Sequence, residues 1–149
     1  MRDPLVQLER SHRRLEEACD ALALAIHDRD RATLEGVCAF FARQVRRHEE
    51  DEDRSLFPRL AATELGAILA RLTQAHREHE ALHAKLAEAA GSAEPRWDDL
   101  APIADAIALA YREHIEEEEA RVFPRARELL SASDLDAMAE EMAARRGGP

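Results

Sequence analysis

Apolar side chains open the chain at alternating steps of three and four: Leu5, Leu8, then His12, Leu15, Cys19, Leu22 and Ile26. That spacing lays one stripe along an α-helix, the pattern of a helix packed in a bundle. Asp3 and Pro4 suit its N-cap and first turn, and the stripe ends near His27 and Asp28. A second stripe starts near Asp30 and runs Leu34, Cys38, Phe41, Val45, His48, Glu52, Ser55. Pro58 should break or kink it, because proline lacks an N–H and its ring crowds the preceding turn. The third, with Thr63 as N-cap, reads Leu65, Leu69, Leu72, His76, His79, His83, Leu86, Ala90, and Gly91 stops it. After a loop over 92–95 the fourth begins near Asp98, with Pro102 close to its start. It reads Leu100, Ile103, Ile107, Ala110, His114, then Glu117 or Glu118, with a kink at Pro124. A short fifth helix follows Ser133, where Asp136 completes a capping box, and 145–149 should fray. The predicted helices cover 4–27, 31–57, 64–90, 98–123 and 134–145 of one domain, 1–149. Four long helices with short connections predict an all-α, up-down-up-down four-helix bundle with a short C-terminal fifth helix.

The chain repeats itself. His48-Glu-Glu-Asp-Glu52 leads to Leu56-Phe57-Pro58-Arg59, and His114-Ile-Glu-Glu-Glu118 leads to Val122-Phe123-Pro124-Arg125. The two copies lie 66 residues apart, and His12 matches His79 at an offset of 67. A helical hairpin present twice implies a centre with approximate two-fold symmetry.

Lengths put the histidines at one level. From His12 to the end of its helix is about 15 residues, and back to His48 about 17, at roughly 1.5 Å each. The later hairpins nearly cancel in the same way, so His12, His48, His79 and His114 should meet in one layer. Glu52 and Glu118 stand one turn beyond His48 and His114, on the same face. Glu117 and Glu119 are alternatives to Glu118. The other acids of these runs, Glu49, Glu50, Asp51, Asp53 and Glu116, and Glu117 and Glu119 taken individually, read as solvated surface. His76 and His83, one turn to either side of His79, are candidates for an extra ligand. Tyr111 reads as a bundle-edge residue and His27 as solvated.

Buried histidines and glutamates without partners are costly as ordinary core. Metal ions solve that problem, and mixed imidazole and carboxylate ligation suits iron, manganese or zinc. It is too rich in nitrogen for calcium or magnesium.

Charge narrows the partners. Thirty-one acids against 21 bases leave a net charge of -10, which argues against nucleic acid. No apolar run approaches the roughly 20 residues of a membrane span, and the first residues lack a secretory signal. The expected compartment is the cytoplasm. Cys19 and Cys38 read as small core residues kept as thiols.

Taken together, His12, His48-x-x-x-Glu52 before Leu-Phe-Pro, Glu78-His79, and His114-x-x-x-Glu118 before Val-Phe-Pro resemble the hemerythrin-like family, the HHE cation-binding domains, over nearly the whole chain. The resemblance implies two non-haem iron ions in an up-down bundle, joined by two carboxylates and an oxo or hydroxo bridge. Glu52 and Glu118 would bridge, with His12 and His48 on one side and His79 and His114 on the other. An open position on one iron would take O2, NO or peroxide. Two features depart from the family's oxygen carriers. His76 precedes His79 by three residues rather than four, and glutamate fills both the fourth and fifth positions after His114. The pattern is closer to the bacterial HHE proteins of sensing, iron handling and stress response. The expected function is small-molecule binding behind apolar walls from Leu8, Leu15, Phe41, Val45, Leu72, Ile107 and Ala110. A di-iron peroxidase or oxidase is the alternative, and an iron-responsive interaction module a third.

Overall fold

Asp3 opens the first helix by accepting hydrogen bonds from the N–H groups of Leu5 (3.0 Å) and Val6 (3.2 Å), and Pro4 follows where a missing donor costs nothing. The computed structural model describes residues 3–147, so Gly148 and Pro149 of the expected frayed tail lie outside the described residues. The first helix, α1, is Pro4–Asp28; Arg29 ends it in a left-handed conformation at φ 50°. Asp30 then caps α2, which runs over 31–60.

Prolines bend the expectation here. Neither Pro58 nor Pro124 breaks its helix. A π turn, Glu52–Leu56, precedes Pro58 in α2, and its counterpart Glu118–Val122 precedes Pro124 in α4, which runs over 97–129. A proline leaves a carbonyl one turn back without a donor and pushes on it. Widening that turn relieves both, so each helix continues past its predicted end. A third π turn, Phe41–Val45, lies earlier in α2.

Two starts also differ. α3 is Gly66–Ala90, and Thr63 stands before it: its hydroxyl donates to the Leu60 carbonyl (2.6 Å) and accepts from Leu65 N–H, tying the connection. α5 is Ala132–Arg145, capped by Ser131 with Asp134 rather than Ser133 with Asp136. Both pairs have the required spacing, and the chain uses the earlier one.

α1 packs on α2 and α4, and α3 on the same two; α5 lies against α1 and the middle of α2. The apolar core comes in two parts. One holds Leu15, Leu22, Phe41, Leu86, Leu100 and Ile107, and the other Leu8, Leu56, Leu72, Val122, Phe123 and Met138. Every long helix crosses from one part to the other through a histidine: Leu8 and Leu15 flank His12, and Val45 and Leu56 flank His48 and Glu52. The polar layer therefore lies across the bundle, between two aliphatic halves.

Cys19 and Cys38 are free, half-buried thiols packed on the first half. Burial raises both thiol pKa values, Cys19 to about 11, which disfavours the reactive thiolate. Among the described residues no helix is long and apolar enough to cross a membrane.

Candidate metal centre

Six buried side chains from four helices meet in the polar layer: His12 of α1, His48 and Glu52 of α2, His76 of α3, and His114 and Glu118 of α4. They form two groups that can each hold a metal ion. His12, His48, Glu52 and Glu118 make one, and Glu52, His76, His114 and Glu118 the other. Within each group one ligand atom per residue lies within 4.8 Å of the rest. Both glutamates belong to both groups, and Glu52 divides its oxygens between them. Its Oε2 is 3.8 Å from His12 Nε2 and 3.5 Å from His48 Nε2, while its Oε1 is 3.0 Å from His76 Nε2 and 3.8 Å from His114 Nε2. Glu118 Oε1 sits 3.7 Å from His12 Nε2 and 2.5 Å from His114 Nε2.

Carboxylates hold the outer edges of the rings. His12 Nδ1 lies 2.8 Å from Glu119 Oε2, and His76 Nδ1 lies 2.9 Å from Asp53 Oδ1. An N–H donated outward leaves the Nε2 lone pair facing the layer, which is how ligand histidines are oriented. The aromatic rings of the repeated motif serve the same histidines. Phe123 stacks on His12 (centroids 5.4 Å, 11° between planes), and Phe57 stacks on His76 (5.7 Å, 11°). Asp53 and Phe57 thus do for His76 what Glu119 and Phe123 do for His12, each across from its own hairpin to the other.

That symmetry revises the expected pairing. The sequence offset matches His12 with His79, but in space His76 occupies the corresponding place. His79 is buried beside it, in neither group, with Nδ1 2.8 Å from Glu49 Oε2 and its ring 4.9 Å from that of His114. Three residues turn a helix about 300°, so His76 and His79 straddle one face and only one is level with Glu52. His83 is a further turn away, its Nε2 2.8 Å from the Tyr111 hydroxyl. Tyr111 is buried rather than at the edge, packed on His79 at 4.2 Å. Of the three candidate glutamates, Glu118 enters the layer. Glu117 turns out to Arg71, and Glu119 is shared by His12 and Arg13.

Four acids read as solvated have structural work. Glu49 and Asp51 are buried, and Asp53 and Glu119 hold histidine rings. The sequence carried one signal for the last two: each directly follows a candidate glutamate at the same offset of 66. Glu49 Oε2 also lies 3.9 Å from His76 Nε2.

The electrostatics show strain without a cation. Burial, reinforced by the Glu52 charge, pushes the Glu118 carboxyl well up. Burial opposes charge on Glu52 too, but the histidines around it, His48 first, hold it well below the usual range. Burial also opposes charge on His12 and His76, yet carboxylates outweigh it and raise them to about 9 and about 11. Burial drives His48 down to about 3 and His79 to about 2, and raises Glu49 to about 8. Among the described residues, His12 Nε2, Glu52 Oε2 and both Glu118 oxygens have no hydrogen-bond partner. Each such buried orphan costs about 1–3 kcal/mol. His12 Nε2, Glu52 Oε2 and Glu118 Oε1 face other members of the two groups, so cations there would satisfy them together. The donor set fits a metal.

A helical bundle crossed by a buried layer of histidine and glutamate is a metal-binding bundle. The chain belongs to the hemerythrin HHE cation-binding domain family, whose family model matches residues 3–126. No curated protein and no solved structure matches it.

α5 lies beyond the matched residues and braces the turn that carries Glu52. Buried Asp51 accepts from Arg145 Nη1 (2.9 Å) and Arg146 Nη2 (2.7 Å). Ser55 Oγ donates to Glu141 Oε1 (2.6 Å) and accepts from Arg145 Nη2 (2.7 Å), while Arg59 binds Glu141 and the Ser55 carbonyl. Among the described residues the corresponding positions of the second hairpin, Glu117 and Arg121, make no such bracket with α5. Breaking a buried pair costs about 3–5 kcal/mol. Both arginines reach solvent, so Asp51→Ala should destabilise by about 2 kcal/mol in thermal unfolding. Hydrogen bonds from Arg59 and Ser55 depress Glu141 to about 2. A depressed carboxyl stabilises fully above its unfolded value, 4.5, and loses that contribution as pH falls toward 2. The stability gap between wild type and Glu141→Gln should therefore shrink between pH 5 and pH 2, followed by urea unfolding.

Proposed function

We propose that this chain is a non-haem di-iron protein that binds a diatomic ligand, O2 or NO, in a bundle whose four long helices alternate in direction. The observation that carries the reading is Glu52, buried, with one oxygen turned to each histidine pair. His12 and His48 would hold one ion and His76 and His114 the other, with Glu52 and Glu118 shared. His79 and Glu49 stand beside the second group and are available to complete it. Reduced iron there would supply electrons and an open coordination position for the gas.

The protein's own part is enclosure and orientation. Phe57, Phe123, Leu8 and Leu72 close one side of the layer, and Ile107, Leu15, Phe41 and Val45 the other. Asp53 and Glu119 keep the His76 and His12 rings turned inward. The ligand side chains themselves are closed off from solvent, with Glu52 and Glu118 fully buried, which suits a small diatomic molecule.

The test is anaerobic titration of ferrous-loaded protein with NO and with O2, followed by absorption. A new visible band that saturates near one gas per chain is expected. No new band with either gas would overturn the reading.

A further inference from the structure

Two ring nitrogens on the outer side of the layer have no partner among the described residues: Nδ1 of His48 and Nδ1 of His114. His12, His76 and His79 each have a carboxylate there, and these two have none. These nitrogens are themselves buried, and their histidines help line surface pockets at corresponding places of the repeat. The pockets differ in charge. The one at His114 carries Glu78, Glu113 and Glu117 against Arg71. The one at His48, between α1 and α2, carries Arg14, Arg47 and Arg146, with Ser11 and Gln44, and no acid.

Arg146 is already held by Asp51, but among the described residues Arg14 and Arg47 form no ion pair. The cavity holds about 70 Å³. By the same measure a water needs roughly 10–15 Å³, so about five heavy atoms fit. His48 Nε2 faces Glu52 at 3.5 Å, which leaves the other edge of the ring for the pocket.

We propose that this pocket binds a small oxyanion, with Arg14 and Arg47 neutralising its charge and an anion oxygen accepting the His48 Nδ1 proton. The anion thus takes the place that Glu119 and Asp53 fill for His12 and His76. An acceptor on Nδ1 makes Nε2 a better metal ligand. Anion and metal then strengthen each other's binding through one ring, reciprocally. That coupling rests on the metal reading above; the anion site itself does not.

The test uses sulfate and nitrate as probes, titrated calorimetrically into metal-free and zinc-loaded full-length protein, with zinc as a redox-silent ion. Saturable binding of one anion per chain is expected, weakened about tenfold or more in the Arg14→Gln/Arg47→Gln double variant. Both arginines sit at the surface, and circular dichroism checks the variant's fold. Nitrogen NMR should show the His48 Nδ1 signal moving as the anion binds. No saturable binding of either anion, or binding that survives the double variant, would overturn the site. Arginine-dependent binding that zinc leaves unchanged would overturn the coupling through His48. Failure to take up zinc at all would count against the metal centre and leave the anion site standing.

Discussion

Chelating the metal from loaded protein is expected to lower its melting temperature by roughly 8–16 °C. A ligand present at about 1,000 times its Kd adds about 4 kcal/mol to the folded state. For a chain of this size each kcal/mol moves the melting point by about 2–4 °C. The physical source is the polar layer between the two apolar halves. Without cations it leaves His12 Nε2, Glu52 Oε2 and both Glu118 oxygens without hydrogen-bond partners among the described residues. It also crowds His76 Nε2 to within 3.1 Å of His114 Nε2. Two nitrogen lone pairs at that distance call for a positive charge between them or a proton on one. Differential scanning calorimetry before and after chelation measures the shift. An unchanged melting point would mean that protons, not metals, satisfy the layer.

Glu118→Gln is expected to separate the two needs that the layer serves. In metal-free protein the Glu118 carboxyl favours its neutral form, through burial and the Glu52 charge. Glutamine has nearly the same shape and is neutral too. Metal-free stability should therefore hold within about 1 kcal/mol of wild type or rise, because a buried acid next to a buried acid is relieved. Metal affinity should fall by about 100-fold or more, because the amide supplies no negative charge to either group. The melting-point rise on metal loading would then largely vanish. A residue that only packed would give the opposite pattern, a lower metal-free melting point with the metal-induced rise intact.

Much of this was legible in one sequence, for reasons that can be named. The stripes of three and four marked the long helices because buried faces of a bundle repeat at that period. Asp3-Pro4 and Asp30 marked two starts because capping is local chemistry. Glu52 and Glu118 stood out because each lies one turn past a histidine, in a motif written twice. What was not legible depends on distant partners or on rotation. Asp51 reads as surface because its arginines lie 94 and 95 residues away. The π turns at 52–56 and 118–122 follow from how Pro58 and Pro124 are relieved, and residue spacing alone allows a kink equally well. His76 and His79 exchange places because an offset counts residues, whereas a ligand's position depends on its angle around α3. Ser131 and Ser133 offer equal capping boxes, and only the docking of α5 selects between them.

The most direct measurement is the metal content of full-length protein after anaerobic ferrous loading and desalting, by elemental analysis. Close to two irons per chain are expected, falling to about one or fewer in Glu52→Ala, whose lost carboxylate faces both histidine pairs. Less than one iron per wild-type chain, or two retained without Glu52, would contradict a centre built on that shared carboxylate.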